Sequence, residues 1–334
     1  MAQFWLKLSV RRVVITILLA NLVGIPIIFM FHKPAALHLQ SILDNLNSRL
    51  GMDTLTEIPQ LSLWEHKRLG DLLKKASMPN KTVILTPLNH AWVTAGMIDI
   101  YFESFREGEN IQELVNHIVI VAIDKPAYDS CTQIHPHCFM LRTNGIDFSG
   151  EKVYMTEDYL KMTWRKIKFL QNVLEMGYNF IFSDADILWF RNPFTHLVED
   201  FDVQIAVDHL TDANTGFIYV LSNKRTITLF KFWYGTRDIQ LGIHEQDNFQ
   251  KMLQDKSVQD IGLKLRFLDV NIFSGYCQRS NDLLHVCTMH ATCCVGLGQK
   301  MGYLRSALNT WKEFKALPPH EKLSKVPDWG ACQQ

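Results

Sequence analysis

The sequence has little that would mark a fibrous, disordered or nucleic-acid-binding protein. Its 334 residues contain 34 basic and 34 acidic side chains, so no excess of positive charge attracts DNA or RNA. It has no internal repeat and no low-complexity segment, and its seven cysteines are too few for a disulfide-built scaffold. The composition, 47% apolar and 20% charged, is that of a globular protein. We therefore expect a folded chain with no nucleic-acid partner, in which a local site binds any anionic ligand.

The sequence contains one long apolar run near its N-terminus. It extends from Val13 to Phe31 and follows the basic residues Lys7, Arg11 and Arg12. The length suits a bilayer span, and the upstream positive charge favours a cytoplasmic N-terminus with the rest of the chain in a lumen. We expect a cytoplasmic tail at 1–12 and an uncleaved transmembrane signal anchor at 13–31. A cleaved signal peptide and a buried N-terminal helix are the alternatives.

Residues 32–80 are expected to form a stem before the main body. Leu39, Leu43, Leu46 and Leu50 recur at helical spacing. This stripe could pair two chains into a homodimer. Because it covers only two helical turns, packing of the stripe onto the body is the favoured interpretation. The body is expected at 81–318, and residues 319–334 form a C-terminal tail.

Two cysteines close together in the chain are expected to pair in an oxidising lumen. Cys131 and Cys138 bracket a short loop, and their separation makes them the favoured disulfide. His135 and His137 lie between them, so a zinc site is the alternative, although the usual CxxC spacing is absent.

From Thr82 onward, short apolar runs alternate with helical stripes. Strands are expected at 83–85, 117–123, 179–183, 203–207, 216–221, 265–270 and 288–293. Stripes at 95–105 and 160–174 predict helices, and Gly177 ends the second. Strands that alternate with helices predict an α/β fold, with helices on both faces of a mostly parallel sheet.

Two carboxylates follow the strand at 179–183. Asp184 and Asp186 stand at its carboxyl end, where open α/β sheets bind ligands. Carboxylates this close repel each other unless they share a proton or hold a cation, and Mg²⁺ or Mn²⁺ takes oxygen ligands. A solvated acidic turn is one alternative. A phosphohydrolase with a phosphoaspartate is another, although Ile187 and Leu188 do not match the residues that follow the motif there.

Sequence blocks on both sides of the acidic pair are more specific than the pair itself. They are Leu88–Trp92, Ile98–Phe105, Trp164–Leu170, Gly177–Phe180, Asp184–Phe194, Asn214–Phe217, His244–Asp247, Arg266–Asp269 and Thr288–Cys294. Together they closely resemble the plant nucleotide-diphospho-sugar transferases of glycosyltransferase family 77. The resemblance covers roughly residues 82–315.

The resemblance implies a GT-A fold, which is one Rossmann-like α/β/α sandwich that binds a UDP-sugar with Mn²⁺ or Mg²⁺. Asp186 would be a direct metal ligand, and Asp184 would contact the metal or the ribose of the donor. His290 would be the third ligand, with a satisfied core histidine as the alternative. A cation there would neutralise the charge that develops on the leaving diphosphate.

The resemblance also implies how the donor is bound. Thr86 and Asn89 would lie near the nucleoside base, although turn capping is nearly as good an interpretation. Arg165 and Lys168 share a helix face and would reach the diphosphate, unless they are simply solvated.

Four further residues are implied at the reacting centre. Asn214 and Gly216 would approach the donor sugar or the acceptor, since glycine permits close backbone approach. Gln246 and Asp247 would lie beneath the anomeric carbon. The family retains the anomeric configuration, either by same-face attack or through an enzyme nucleophile such as Asp247.

The expected function is therefore that of a type II membrane glycosyltransferase of the plant Golgi. It would transfer a pentose or galactose from a UDP-sugar to a wall polysaccharide or glycoprotein acceptor. A membrane-tethered carbohydrate-binding protein without transfer activity is the non-enzymatic alternative.

Overall fold

The computed structural model of the protein describes residues 61–142, 147–152, 154–209, 211–237, 242–330 and 332. The predicted tail at 1–12, the predicted signal anchor at 13–31 and most of the predicted stem lie outside these residues. None of the described helices is both long enough and apolar enough to cross a bilayer.

Seven strands form the main sheet, in the order β3-β2-β1-β4-β7-β6-β8. Their bounds are β1 Thr82–Leu88, β2 Ile118–Ala122, β3 Cys138–Met140, β4 Asn179–Ser183, β6 Val203–Val207, β7 Ala213–Val220 and β8 Leu265–Phe267. The pairs β1–β2, β1–β4, β2–β3 and β6–β8 are parallel. The pairs β4–β7 and β6–β7 are antiparallel. The predicted mostly parallel sheet is confirmed.

Strand β7 is antiparallel because of the length of the connection before it. Only residues 208–212 separate β6 from β7, and a parallel crossover needs a dozen residues or more. The strand also begins at Ala213, upstream of the predicted start at 216. As a consequence, Asn214 and Gly216 lie at the sheet edge where β4 ends.

Helices cover both faces of the sheet. The described helices are α1 Leu63–Ala76, α2 His90–Thr94, α3 Met97–Glu107, α4 Lys125–Ile134, α5 Glu157–Glu175, α6 Lys224–Gly235, α7 Glu245–Met252, α8 Lys256–Gln259, α9 Leu297–Ala316 and α10 Pro319–Lys322. Helices α1, α5, α6 and α7 contribute to one apolar core, and α3 and α4 contribute to the other. Alternate residues of each strand enter opposite cores: Val83 and Leu85 face one, and Ile84 faces the other.

Helix α1 lies within the range 32–80 that was expected to form the stem. Its Leu69, Leu73 and Ala76 are fully buried in the core. Ser62 caps the helix through a hydrogen bond from the Glu65 backbone N–H, and the Glu65 carboxylate accepts from Ser62 in return. The packed unit therefore extends upstream of residue 81.

A second sheet of three short strands, in the order β5-β10-β9, adjoins the first. Its strands are β5 Ile187–Trp189, β9 Phe273–Gly275 and β10 Thr288–His290. Strand β10 runs antiparallel to β5, with His290 opposite Ile187. This register brings His290 to Asp186, although more than a hundred residues separate them in the chain.

Three disulfides stabilise the loops. The predicted Cys131–Cys138 bond is confirmed, and Cys277–Cys293 and Cys294–Cys332 are also paired. The zinc alternative at the first pair is wrong, because its sulfur atoms are bonded to each other and His135 Nε2 lies 2.8 Å from the Ile118 carbonyl oxygen. Cys287 is a buried free thiol.

Candidate active site

Asp184, Asp186 and His290 meet at the carboxyl end of β4. The Asp184 backbone N–H donates to the Gly216 carbonyl oxygen at 2.8 Å, which fixes the turn against β7. His290 Nε2 lies 3.2 Å from Asp186 Oδ1 and 4.0 Å from Asp184 Oδ2. One potential ligand atom of each residue lies within 4.8 Å of the others. The structure therefore brings together the three side chains that the sequence analysis gave as metal ligands.

The Asp186 carboxylate is buried, with 1% of the residue exposed. Its Oδ2 accepts a hydrogen bond from Lys300 Nζ at 2.7 Å. Its Oδ1 has no hydrogen-bond partner among the described residues, and the approach of His290 falls outside hydrogen-bonding geometry. A buried carboxylate oxygen without a partner is costly unless another ligand satisfies it. The donor set of two carboxylates and one imidazole suits Mn²⁺ or Mg²⁺.

The two carboxylates have opposite pKa shifts. Burial raises the pKa of Asp184 to about 6, with the neighbouring Asp186 adding to the shift and Lys166 opposing it. Burial would also raise the pKa of Asp186, but Lys300 and His290 outweigh it and hold that pKa well below its usual range. Because Asp186 is the better anion, it is the stronger candidate for direct cation binding.

Gly216 forms a wall of this site. A Cβ atom at this position would lie 2.5 Å from His290 Cε1 and 2.6 Å from Asp184 Oδ2. The Gly216 backbone N–H donates to Asn214 Oδ1 at 2.9 Å, and Asn214 Nδ2 donates to Asp208 Oδ2 at 2.9 Å. The structure thus brings Asn214 and Gly216 to the predicted site, and glycine is required there by the close approach of two side chains.

A buried polar network that the sequence did not predict adjoins the candidate metal ligands. Glu245 is fully buried and lies 2.6 Å from Lys166 Nζ and 2.8 Å from His244 Nε2. Thr215 Oγ1 donates to Glu245 Oε1 at 2.9 Å, and the Tyr159 hydroxyl lies 3.1 Å from His244 Nε2. Burial would raise the pKa of Glu245, but Lys166 and His244 outweigh it and hold the pKa far below its usual range. Glu245 is therefore an anion that keeps Lys166 beside Asp184.

Gln246 and Asp247 occupy the first turn of α7, next to this network. Gln246 Oε1 accepts from the Thr215 backbone N–H at 3.0 Å, which ties the glutamine to the strand that carries Gly216. Asp247 is exposed. Both residues therefore lie on the solvent side of the site, with Gln246 nearer to β7.

Thr86 and Asn89 make structural contacts at the end of β1. Thr86 is fully buried, and its hydroxyl lies 2.8 Å from the Tyr101 hydroxyl. Asn89 caps α2 by accepting from the Trp92 backbone N–H, and its Nδ2 donates to the Phe148 and Gly150 carbonyl oxygens. The capping alternative therefore describes what Asn89 does in this structure.

The structure does not bring Arg165 and Lys168 to the carboxylates. Arg165 is buried and donates to the Arg142 carbonyl oxygen, and Lys168 Nζ lies 5.1 Å from the centre of the Tyr234 ring. Lys166, on another face of the same helix, is the basic residue that approaches Asp184 and Glu245.

Comparison with known proteins shows the family of the chain. Residues 113–304 match the family model described as nucleotide-diphospho-sugar transferase. The chain is 41% identical over 258 residues to an uncharacterized protein of Arabidopsis thaliana, covering 74% of this chain and 68% of the relative. It is 27% identical over 174 residues to the Arabidopsis thaliana arabinosyltransferase RRA1, covering 50% of this chain and 40% of the relative.

Among solved structures, the apo-form glycosyltransferase GlyE of Streptococcus pneumoniae is similar, with a TM-score of 0.43 and 11% identity. The alignment covers 74% of this chain and 64% of GlyE. The family model spans more than half of the chain, and the relative at 41% identity spans most of it. The chain therefore belongs to the nucleotide-diphospho-sugar transferase family and is a glycosyltransferase.

Proposed function

We propose that the protein transfers a sugar from a UDP-sugar to a glycan or glycoprotein, with Mn²⁺ or Mg²⁺ held by Asp184, Asp186 and His290. The observation that carries this proposal is the buried Oδ1 of Asp186, which accepts no hydrogen bond from the described residues and lies beside His290 and Asp184 at the sheet edge. A bound cation would neutralise the charge that develops on the leaving nucleoside diphosphate.

Two lysines supply positive charge near the proposed cation. Lys300 Nζ reaches Asp186 from helix α9, and Asp186 outweighs burial to raise the pKa of this lysine. Lys166 is held by Glu245 and acts on Asp184. Charge-assisted hydrogen bonds from these ammonium groups to the oxygens of a diphosphate bound at the cation would orient it.

The nucleoside is proposed to lie at the carboxyl ends of β2 and β3, next to Asn89 at the end of β1. Phe148, whose carbonyl oxygen accepts from Asn89, lines a cleft of about 350 Å³ together with Asp124, Met140 and Ser149. This volume suits one flat ring system. Asn89 would act by positioning this cleft. Thr86 is fully buried, so it would not contact the nucleoside and would support the cleft from within the core.

The reacting carbon is proposed to lie between Gly216 and the first turn of α7. Gln246 is tied to Thr215, and Asp247 lies in the same turn. Asn214 would hold the sugar against the wall that Gly216 forms. Retention of configuration would follow from attack on the face that the leaving group vacates, with Asp247 as a nucleophile being the alternative route.

A pentose is the proposed donor sugar, and galactose is second. The support for a pentose is that the relatives include a plant arabinosyltransferase. A cell-wall polysaccharide or glycoprotein is the proposed acceptor.

The proposed location is the Golgi membrane, with the catalytic unit in the lumen. Three disulfides favour an oxidising compartment, and the apolar run at 13–31 would supply the anchor. A homodimer through the leucine stripe of the stem remains a prediction.

A turnover assay tests the proposal. The purified protein is incubated with Mn²⁺ and UDP-xylose, UDP-arabinose or UDP-galactose, together with simple methyl glycosides as acceptors, and the release of UDP is measured. At least one donor should give Mn²⁺-dependent release that Asp186→Ala abolishes, while the exposed Asp260→Asn control keeps it. Phosphate release from simple monoesters would favour a phosphohydrolase instead, and sugar binding without turnover would favour a carbohydrate-binding protein.

A further inference from the structure

Three aromatic rings lie together beside the first turn of α7. The Tyr159 ring stacks on the His244 imidazole, with ring centres 5.4 Å and planes 17° apart. The Tyr154 ring lies 5.3 Å from Tyr159, edge to face, and 5.8 Å from His244. Tyr154 is 62% exposed, whereas His244 is buried. The inner pair thus supports one large ring that is open to solvent, and we name the three rings the aromatic platform.

The aromatic platform is connected to the candidate active site by direct contacts. His244 precedes Glu245 at the start of α7, and its Nε2 lies 2.8 Å from the Glu245 carboxylate. Gln246 in the same turn accepts from Thr215, the neighbour of Gly216. Burial raises the pKa of Tyr154, and Asp247 and Glu245 add to the shift, which agrees with acidic groups close to the ring. The exposed ring therefore lies at the mouth of the site, with carboxylates around it.

The chemistry of this surface suits a sugar ring. The face of an aromatic ring carries negative quadrupole charge and attracts the polarised C–H groups on one side of a pyranose or furanose. Carboxylate and amide oxygens at the rim can accept hydrogen bonds from sugar hydroxyls. A purely apolar partner would leave Asp247 and Gln246 without such bonds, and an anionic partner would be repelled by Asp247.

We propose that Tyr154, supported by Tyr159 and His244, is the surface on which the acceptor sugar stacks, with Asp247 and Gln246 accepting from its hydroxyls. The proposal rests on the proposed transferase function and deepens it. The acceptor is favoured over the donor sugar because Tyr154 is solvent-facing, whereas the proposed diphosphate anchors Asp186 and Lys300 lie deeper. Tyr154 is thus a specificity-determining residue for the acceptor.

Binding of simple glycosides to the full chain tests the proposal. The probes are methyl α-L-fucopyranoside, methyl β-L-arabinofuranoside and methyl β-D-galactopyranoside, measured by saturation-transfer NMR with UDP and Mn²⁺ present. At least one should bind, and Tyr154→Ala should weaken it about three- to tenfold, as expected for the loss of one aromatic stacking contact. Tyr154→Phe keeps the ring and should stay within about twofold of wild type. Trp64→Ala, which removes another exposed aromatic ring on α1, is the matched control.

Calorimetry with UDP and Mn²⁺ distinguishes a failure of the proposed function from a failure of the acceptor platform alone. If the wild-type protein binds no UDP in the presence of Mn²⁺, the proposed function itself fails. If UDP binds normally but every glycoside fails to bind, or Tyr154→Ala binds as wild type does, the acceptor platform alone is overturned. A loss of affinity for the UDP-sugar relative to UDP in Tyr154→Ala would place the donor sugar on the ring, which also contradicts the proposal.

Discussion

Gly216 and His290 approach each other so closely that a Cβ atom on Gly216 would lie 2.5 Å from His290 Cε1. The same atom would lie 2.6 Å from Asp184 Oδ2. The backbone of β7 thus sets the distance between two of the proposed cation ligands. Any side chain at position 216 must displace at least one of them.

Gly216→Ala is predicted to weaken cation binding and to destabilise the fold. Its methyl group would push His290 and Asp184 apart, so the affinity for Mn²⁺ should fall at least about tenfold, and the unfolding free energy by about 1–3 kcal/mol. Mn²⁺ titration and thermal unfolding of the same sample check both expectations. Gly302→Ala, at a helical glycine with open space around it, is the matched control and should be neutral or slightly stabilising. Wild-type Mn²⁺ affinity in Gly216→Ala would contradict the account.

The Lys166–Glu245 pair is predicted to be strongly coupled. Glu245 is fully buried, and Lys166 is its closest cation, so Lys166→Met leaves the buried carboxylate with His244 as its remaining partner. A double-mutant cycle with Lys166→Met and Glu245→Gln should give a coupling free energy of about 1–3 kcal/mol in chemical unfolding. The same cycle on the exposed Lys256–Asp260 pair should give a coupling too small to measure. Additive effects at Lys166 and Glu245 would show that the two charges act independently.

Lys300→Met is predicted to weaken UDP binding. The change removes a partly exposed ammonium group at 2.7 Å from Asp186 and keeps most of the side-chain volume. Loss of one charge-assisted contact to a phosphate oxygen should lower the affinity for UDP about ten- to a hundredfold by calorimetry. Lys312→Met alters the same helix at a lysine paired with Glu103 and should leave UDP affinity unchanged. Equal UDP affinity in Lys300→Met and wild type would remove this lysine from the proposed donor site.

Asp202 is predicted to link stability to acidic pH. Its carboxylate accepts from Arg225, Asn223 and the Lys264 backbone N–H. Burial would raise the pKa of Asp202, but Arg225 and the Lys264 backbone outweigh it and lower that pKa. A depressed carboxyl pKa contributes stability that is present above about pH 4 and is lost as the pH falls through the folded-state value.

Asp202→Asn should therefore lower the free energy of unfolding by about 1–2 kcal/mol at neutral pH. The low end of this range is expected because Arg225 faces solvent. The difference from wild type should shrink as the pH falls below about 4 in urea unfolding. Asp260→Asn, at an exposed carboxylate, should keep the wild-type profile. A constant difference between Asp202→Asn and wild type from pH 7 to pH 3 would contradict this linkage.

Local patterns in the sequence were enough to predict most of the sheet. Asn179–Ser183 and Val203–Val207 are strands with the predicted bounds, because both are short apolar runs buried on two faces. The small sheet was only partly predicted, since β5 and β9 have three residues each and owe their existence to pairing with β10. Such strands are specified by contacts between distant segments, which a local pattern does not contain.

In the candidate site, too, residues marked by a local sequence pattern were predicted, and residues brought in by distant contacts were missed. Asp184 and Asp186 were predictable from the end of an apolar strand, and His290 from family resemblance. Arg165 and Lys168 share a helix face, which suggested that this face binds the diphosphate. In the structure that face packs against residues such as Tyr234, and Lys166 on another face approaches the site instead. Lys300 was missed because no local signal marks a lysine on α9 that reaches a carboxylate 114 residues upstream.

Binding of Mn²⁺ tests the central claim most directly, because the account requires one cation held by Asp184, Asp186 and His290. Electron paramagnetic resonance can follow the free ion while the protein is titrated in the presence of UDP. The account predicts one tight Mn²⁺ per chain in wild type and in Asp260→Asn, and a loss of at least about a hundredfold in affinity in Asp186→Asn. Equal Mn²⁺ binding by Asp186→Asn and wild type, or no tight site in the wild-type protein, would contradict it.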